Sequence, residues 1–198
     1  MFRILVLYGT SYGHTAKVAQ RLAFGMMSAG LLVELYRADQ LPDQIDPGDF
    51  DGIVIAASII VGQYQPYIRE FVRQHASLLN RTPSAFVSVC GAAGSNPVEA
   101  QGYIDALRRE SGWQPKLQRS FAGAVAYTHY AWWYRWYLRL FNRRNGRPTD
   151  TTRDWDLTNW SEVDRFTTEL AADLVPAPAG VAGSAATTCE MVPNAQVP

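Results

Sequence analysis

Residues 3–15 read RILVLYGTSYGHT. The first six are mainly apolar and form a short uninterrupted run, the pattern of a strand buried on both faces of a parallel sheet. Gly9 and Gly13 then turn the chain, and from His14 onward Val18, Leu22 and Met26 recur at helical spacing until Gly30 offers a C-terminal stop. The order is strand, glycine loop, helix. It is the opening unit of a sheet whose strands are joined by helical crossovers.

The rest of the chain repeats the unit. Residues 32–36, 52–57 (GIVIAA), 84–89 (SAFVSV) and 120–126 (SFAGAVA) read as further strands. Residues 66–79, with Pro66 suited to a first turn, and 97–111 read as helices. A last amphipathic helix covers 160–174, started by Ser161 and carrying Val163, Phe166, Leu170 and Leu174 on one side. This alternation predicts an α/β fold with a five-stranded parallel sheet and helices on both faces. Such sheets bind ligands at the carboxyl ends of their strands, beside the point where strand order reverses. The loops 9–15, 58–64 and 90–95 are therefore the ones to watch.

A chain of 198 residues suits one domain, read here as 1–175. It carries an aromatic and Arg-rich insertion at about 130–155, before the last helix. Residues 176–198, rich in Ala and Pro, read as a disordered tail. No apolar run is long enough to span a bilayer, and the N-terminus lacks the basic stretch and cleavage site of a secretory leader, so a cytoplasmic location is expected. Two cysteines, Cys90 and Cys189, give neither a disulfide framework nor a metal spacing, and no metal is expected. A formal charge of zero gives the whole molecule no strong pull on nucleic acid or acidic membranes. Electrostatic arguments must be local.

The chemistry begins in the loop of Thr10, Ser11, Tyr12, Gly13, His14 and Thr15. Unpaired backbone N–H groups and the helix dipole favour an anion there. The hydroxyls of Thr10, Ser11 and Thr15 add donors without charge, and Gly13 permits close backbone approach. The loop has no Lys-Ser or Lys-Thr ending, against a nucleotide triphosphate, and no G-x-G-x-x-G, against a dinucleotide. A terminal monophosphate fits better. The competing reading is a capped helix after a tight turn.

TSYGHT (10–15) is similar to the flavodoxin phosphate-loop pattern T-x-T-G-x-T, with Tyr12 departing at the third position. A longer resemblance, over about 3–174, is to the menaquinone-dependent protoporphyrinogen oxidases. It is carried by ASIIVGQY (57–64), FVRQHASLLN (71–80), PSAF (83–86), TDT (149–151) and the Arg- and Tyr-rich segment before TDT. This resemblance implies a flavodoxin-like fold, flavin mononucleotide (FMN) as cofactor, and oxidation of protoporphyrinogen IX with electrons passed to a membrane quinone in haem biosynthesis. It implies that Thr10, Ser11, Gly13, His14 and Thr15 hold the phosphate. Ser58, Ile59, Ile60, Gly62 and Tyr64 would border the isoalloxazine on one side, and Cys90, Gly91 and Ala92 would approach it on the other. A peripheral position on the inner face of the cell membrane goes with the quinone.

Two features of the residues bear on this expectation. The loop 90–95 (CGAAGS) is small throughout, where electron-carrying flavodoxins wall the flavin with aromatic rings. An open face suits hydride transfer, which needs a substrate carbon within roughly 3.5 Å of the acceptor, unless a side chain of the insertion covers it. On a helical projection of the insertion, Arg135, Arg139 and Arg143 form one row, and Trp133, Trp136, Tyr137, Leu140 and Phe141 share a broad opposite arc. With Trp132 beside them, this is the composition of an interfacial helix that could meet membrane headgroups or grip porphyrin propionates through Arg forks. The plainer alternative is that the aromatics pack on the domain and the arginines are solvated.

No general base can be assigned. His14 is expected near the phosphate and His75 in a structural position, which leaves His129 and Tyr64 as polar side chains near the flavin edge. The rival functions are a flavodoxin-like electron carrier, an NAD(P)H-dependent quinone reductase, and a membrane-docking scaffold without flavin.

Overall fold

The computed structural model describes residues 1–125, 128, 132, 136, 139, 140, 143 and 149–174. Strands β1 (Arg3–Gly9), β2 (Leu32–Arg37), β3 (Gly52–Ile60), β5 (Ser84–Cys90) and β6 (Leu117–Ala122) form a parallel sheet in the order β2-β1-β3-β5-β6. A two-residue strand, β4 (Gln63–Tyr64), folds back antiparallel on β3. A separate antiparallel ribbon joins β7 (Ala124–Val125) to β8 (Trp155–Asp156).

Alternate residues of each strand feed opposite cores. Ile4, Val6, Val54 and Val87 point to one face, where α1 (His14–Ser28) lays down Val18, Leu22 and Met26 and the last helix, α5 (Trp160–Leu174), lays down Val163, Phe166 and Leu170. Leu5, Leu7, Ile53 and Ile55 point to the other, against α2 (Pro66–Gln74), α3 (Ala76–Arg81) and α4 (Pro97–Ser111) through Ile68, Val72, Leu79 and Ile104. Each fully buried aliphatic side chain contributes about 1.5–3 kcal/mol, so both helical layers are held chiefly by these contacts. An exposed bidentate Arg21–Asp164 pair, at 2.6 and 2.9 Å, also spans α1 and α5 and contributes little by comparison.

The expected five-stranded parallel sheet is present, with some differences in detail. The helix expected over 66–79 is divided at His75, whose ring stacks on Phe71 at 4.3 Å with Nδ1 3.0 Å from the Phe71 carbonyl. The fifth parallel strand begins at Leu117, three residues earlier than expected, and the chain then leaves the sheet to form β7. The last helix is capped by Asn159, whose Oδ1 accepts the Glu162 N–H at 3.3 Å, and Ser161 lies within its first turn. Of the insertion, Trp132, Trp136, Arg139, Leu140 and Arg143 are helical and exposed. Trp133, Arg135, His129 and the tail 176–198 lie outside the described residues. Among the described residues no helix is long and apolar enough to cross a membrane.

Candidate functional site

Strand order reverses at β1. The chain leaves β1 to pair β2 on one side and returns to pair β3 on the other, which opens a crevice at the carboxyl ends of the strands. Because β1, β3 and β5 are neighbours, the loops that follow them meet there although they are far apart in sequence.

The loop after β1 is built for close approach. Gly13 has φ +82, and its N–H donates to Thr10 Oγ1 at 2.9 Å. The Thr10 N–H donates to the Tyr67 hydroxyl at 3.2 Å, which fastens the loop to α2. Gly9 faces the same helix: a Cβ there would lie 2.5 Å from Ile68 Cγ1 and 2.9 Å from Gln65 Oε1. Gln65 is buried and connects two loops, with Nε2 donating to Ser58 Oγ at 2.7 Å and reaching Ser11 Oγ at 3.4 Å. Pro66 disfavours helical backbone at Gln65, which adopts φ −54, ψ 138. Sequence reasoning overlooked Gln65 and Tyr67, although a polar residue directly before a helix-starting proline at a strand end was a usable signal.

Two polar atoms in this region are buried without a hydrogen-bond partner: Thr15 Oγ1 and Gln65 Oε1. Thr15 is 1% exposed. Leaving a buried hydroxyl unsatisfied costs about 1–3 kcal/mol, so a group that accepts from it would recover that cost. Ser11 and Tyr12 are exposed on the rim of the loop.

His14 carries two separate sets of contacts. Its backbone opens α1, and its ring Nε2 lies 2.6 Å from Thr158 Oγ1 and 3.7 Å from Asp156 Oδ1. Burial lowers its pKa below the ordinary histidine value, Asp156 opposes that shift and Lys17 adds to it. The side chain is thus committed to Thr158 and, through it, to the end of β6, while its backbone remains with the loop.

The loop after β3 is a tight hairpin. Ile59 pairs with Tyr64 and Ile60 with Gln63, so Val61 and Gly62 form the turn, both with positive φ (+49 and +78). Two successive left-handed residues are the signature of a type I′ hairpin. Ser58, Ile59 and Ile60 are half-buried along its inner arm, and Gly62 is exposed. Tyr64 does not serve as a polar group at the site edge. Its hydroxyl donates to Ser88 Oγ at 2.9 Å inside the core and its ring meets Phe86 edge-on, while burial drives its pKa far above the ordinary tyrosine value.

The loop after β5 is the short turn Gly91–Gly94. Gly91 is exposed, and Ala92 packs with Ala100 and the buried Cys90. Burial pushes the Cys90 thiol up, against the pull of the Ala93 and Ala92 amides and Ser88, so it is not a thiolate at neutral pH. Cys90 therefore packs beneath the loop, and the small residues above it form the surface. Beside the β3–β4 hairpin lies a cavity of 230 Å³ that includes Ile59, Gly62, Arg69 and Tyr103 in its lining. Among the described residues there is no cluster of three metal-ligating side chains.

A hydroxyl-rich loop, a β3 hairpin and a small-residue loop at one switch point form a recognisable constellation. A family model described as flavodoxin domain matches residues 5–152. The protoporphyrinogen IX dehydrogenase (quinone) of Escherichia coli K12 is 31% identical over 172 residues, covering 85% of this chain and 94% of the relative. The chain belongs to the flavodoxin-domain family of quinone-dependent protoporphyrinogen IX dehydrogenases. A relative of the same name from Leishmania major is 30% identical over 179 residues, 86% of this chain and 75% of its own length. Flavodoxin 1 of Bacillus cereus shares the fold, with a TM-score of 0.55 at 14% identity over 86% of this chain and 97% of that one. Within this dehydrogenase family the chain is thus a flavodoxin-like α/β protein of oxidoreductase kin.

Proposed function

We propose that the protein binds FMN at the switch point and oxidises protoporphyrinogen IX, passing the electrons to a membrane quinone. The observation that carries the cofactor is the buried Thr15 hydroxyl, which has no hydrogen-bond partner and belongs to the loop that would take the phosphate. With Ser11 and the N-terminus of α1, it offers donors to a terminal phosphate without a lysine, and Gly13 lets the backbone approach closely. Gln65, joined to Ser58 and Ser11, would hold the loops after β1 and β3 at a fixed separation around the ring system. Ser58, Ile59, Ile60 and Gly62 would border one side, and Gly91 and Ala92 the other.

Bound flavin would supply the redox chemistry, and the protein would position it and exclude competing reactions. Small residues after β5 leave space for a broad, flat substrate above the ring. The family's named activity and this open face together favour a dehydrogenase over a one-electron carrier. No described side chain takes the position of a general base, so the proton released with the hydride would go to solvent.

The docking part of the proposal rests on Trp132 and Trp136, 82% and 68% exposed, with Leu140 at the next i+4 position. Arg139 and Arg143, also exposed, accompany that stripe. Tryptophan and leucine beside arginine favour an anionic bilayer surface, where the quinone resides. Co-sedimentation with anionic vesicles, lost in a Trp132→Ser, Trp136→Ser double variant, is the expected result.

The deciding experiment is anaerobic. Protoporphyrinogen IX should bleach the flavin of the purified holoprotein, and a menaquinone analogue should restore its absorbance. A preparation that binds no added FMN would remove the proposal altogether. Flavin that NADH bleaches and protoporphyrinogen does not would replace it with a nicotinamide-fed quinone reductase.

A further inference from the structure

We infer that His14 is a positioning residue that ties occupancy of the phosphate loop to the β7–β8 ribbon, the strand pair from which residues 126–154 leave and to which they return. The inference rests on the FMN reading above and extends it to a second part of the molecule.

The contacts form a continuous path. His14 directly follows Gly13 at the start of α1, so a phosphate held by the first amides of that helix would fix the His14 backbone. Its imidazole, with only 12% of the side chain exposed, approaches Thr158 Oγ1 at 2.6 Å. That hydroxyl has one proton and donates it to the Ala122 carbonyl at 2.8 Å. It must therefore accept from His14, which fixes the imidazole with its proton on Nε2.

Beyond Thr158 the path divides. Ala122 ends β6, one residue before the chain enters β7 through Gly123. The Thr158 N–H donates to Asp156 Oδ1 at 2.9 Å, and Trp160 Nε1–H donates to Asp156 Oδ2 at 3.2 Å. Asp156 is itself a ribbon residue, paired with Ala124. The Trp160 ring lies against the imidazole with centroids 5.9 Å apart. A single side chain at the start of α1 thus meets the ribbon at Asp156 and the start of α5 at Trp160 directly, and the end of β6 through Thr158.

Coupling of this kind is reciprocal. If phosphate on the loop steadies the ribbon, loosening the ribbon must weaken phosphate binding by the same factor. One hydrogen bond sets that factor at about three- to tenfold. Riboflavin, which has the ring system and no phosphate, should be blind to it.

The test combines hydrogen exchange at the amides of Ala124, Val125, Trp155 and Asp156 with FMN and riboflavin titrations. In the wild-type protein FMN should slow exchange at these amides about three- to tenfold more than riboflavin does. Thr158→Val and His14→Leu should lose that difference and bind FMN more weakly by the same factor, with riboflavin affinity unchanged. His14→Gln, whose amide nitrogen reaches the place of Nε2, should keep both. Wild-type FMN affinity and FMN protection in Thr158→Val would overturn the inference. Equal loss of riboflavin and FMN affinity would overturn it as well, since that pattern reports general loosening. If the wild-type protein does not bind FMN at all, the FMN reading fails first and the inference falls with it.

Discussion

Replacing Thr15 by valine exchanges a buried hydroxyl for a methyl group of nearly the same size, and the structure predicts effects of opposite sign with and without ligand. Thr15 is 1% exposed and its Oγ1 has no partner. Without FMN the hydroxyl bears a desolvation cost of about 1–3 kcal/mol. Valine removes it, and the two residues have similar helix propensities. The apo variant should therefore gain about 1 kcal/mol, or about 2–4 °C in Tm for a chain of this size. With FMN the balance reverses. A hydrogen bond to a charged phosphate contributes about 1.5–3 kcal/mol, so Kd should rise about 10–150-fold. Thermal melts of apoprotein and quenching of flavin fluorescence measure the two halves, and Thr15→Ser, which keeps the hydroxyl, is the control. An apo variant that melts below wild type while binding FMN within twofold of it would refute the argument, because the hydroxyl would then serve the fold and not the ligand.

Other perturbations follow from the same geometry. Gly9→Ala places a Cβ 2.5 Å from Ile68 Cγ1 and 2.9 Å from Gln65 Oε1, and should destabilise by about 1–3 kcal/mol and weaken FMN binding as Gln65 is displaced; unchanged urea midpoint and affinity would contradict it. Val61→Asn should stabilise the protein by about 1 kcal/mol, because a β-branched residue at φ +49 is strained and the side chain, 85% exposed, loses no packing; a lower denaturation midpoint would count against this. His14 has a pKa held below 6.5 chiefly by burial, so the unfolded chain takes up its proton first. Its contribution is complete above the unfolded value and is lost as pH falls from there through the folded value. Urea denaturation from pH 7.5 to 5 should show a decline that His14→Gln flattens, and superimposable profiles would dismiss it.

The sheet was legible because strands buried on both faces leave uninterrupted apolar runs, as in GIVIAA, and because Val18, Leu22 and Met26 hold one phase. The interruption at His75 was not, since Ile68, Phe71, Val72 and Leu79 continue the helical spacing across it. Strand β4 is two residues long and hangs on a turn whose first residue is valine, which no turn preference would choose. Within the site, the hydroxyls of the loop 10–15 and its lack of lysine are local features that the sequence displays directly. The direction of Tyr64 was not legible because membership of a motif carries none: in β4 it points inward and its neighbour Gln63 points out. The partner of the His14 ring was illegible for a different reason, since Thr158 is a long-range contact with no local trace. Gln65 was overlooked because its neighbours in space come from the ends of β1 and β3.

The clasp between His14 and Thr158 joins positions 144 apart in the chain. A ribosome adding about 5–20 residues per second needs about 7–30 s to deliver the second after the first. For all that time the loop 10–15 exists without α5 against α1 and without the His14–Thr158 contact. A ligand that gains from that contact gains from it only once residue 158 has been made. Truncation anywhere between residues 16 and 157 would yield a chain that contains the whole loop and lacks its clasp to Thr158.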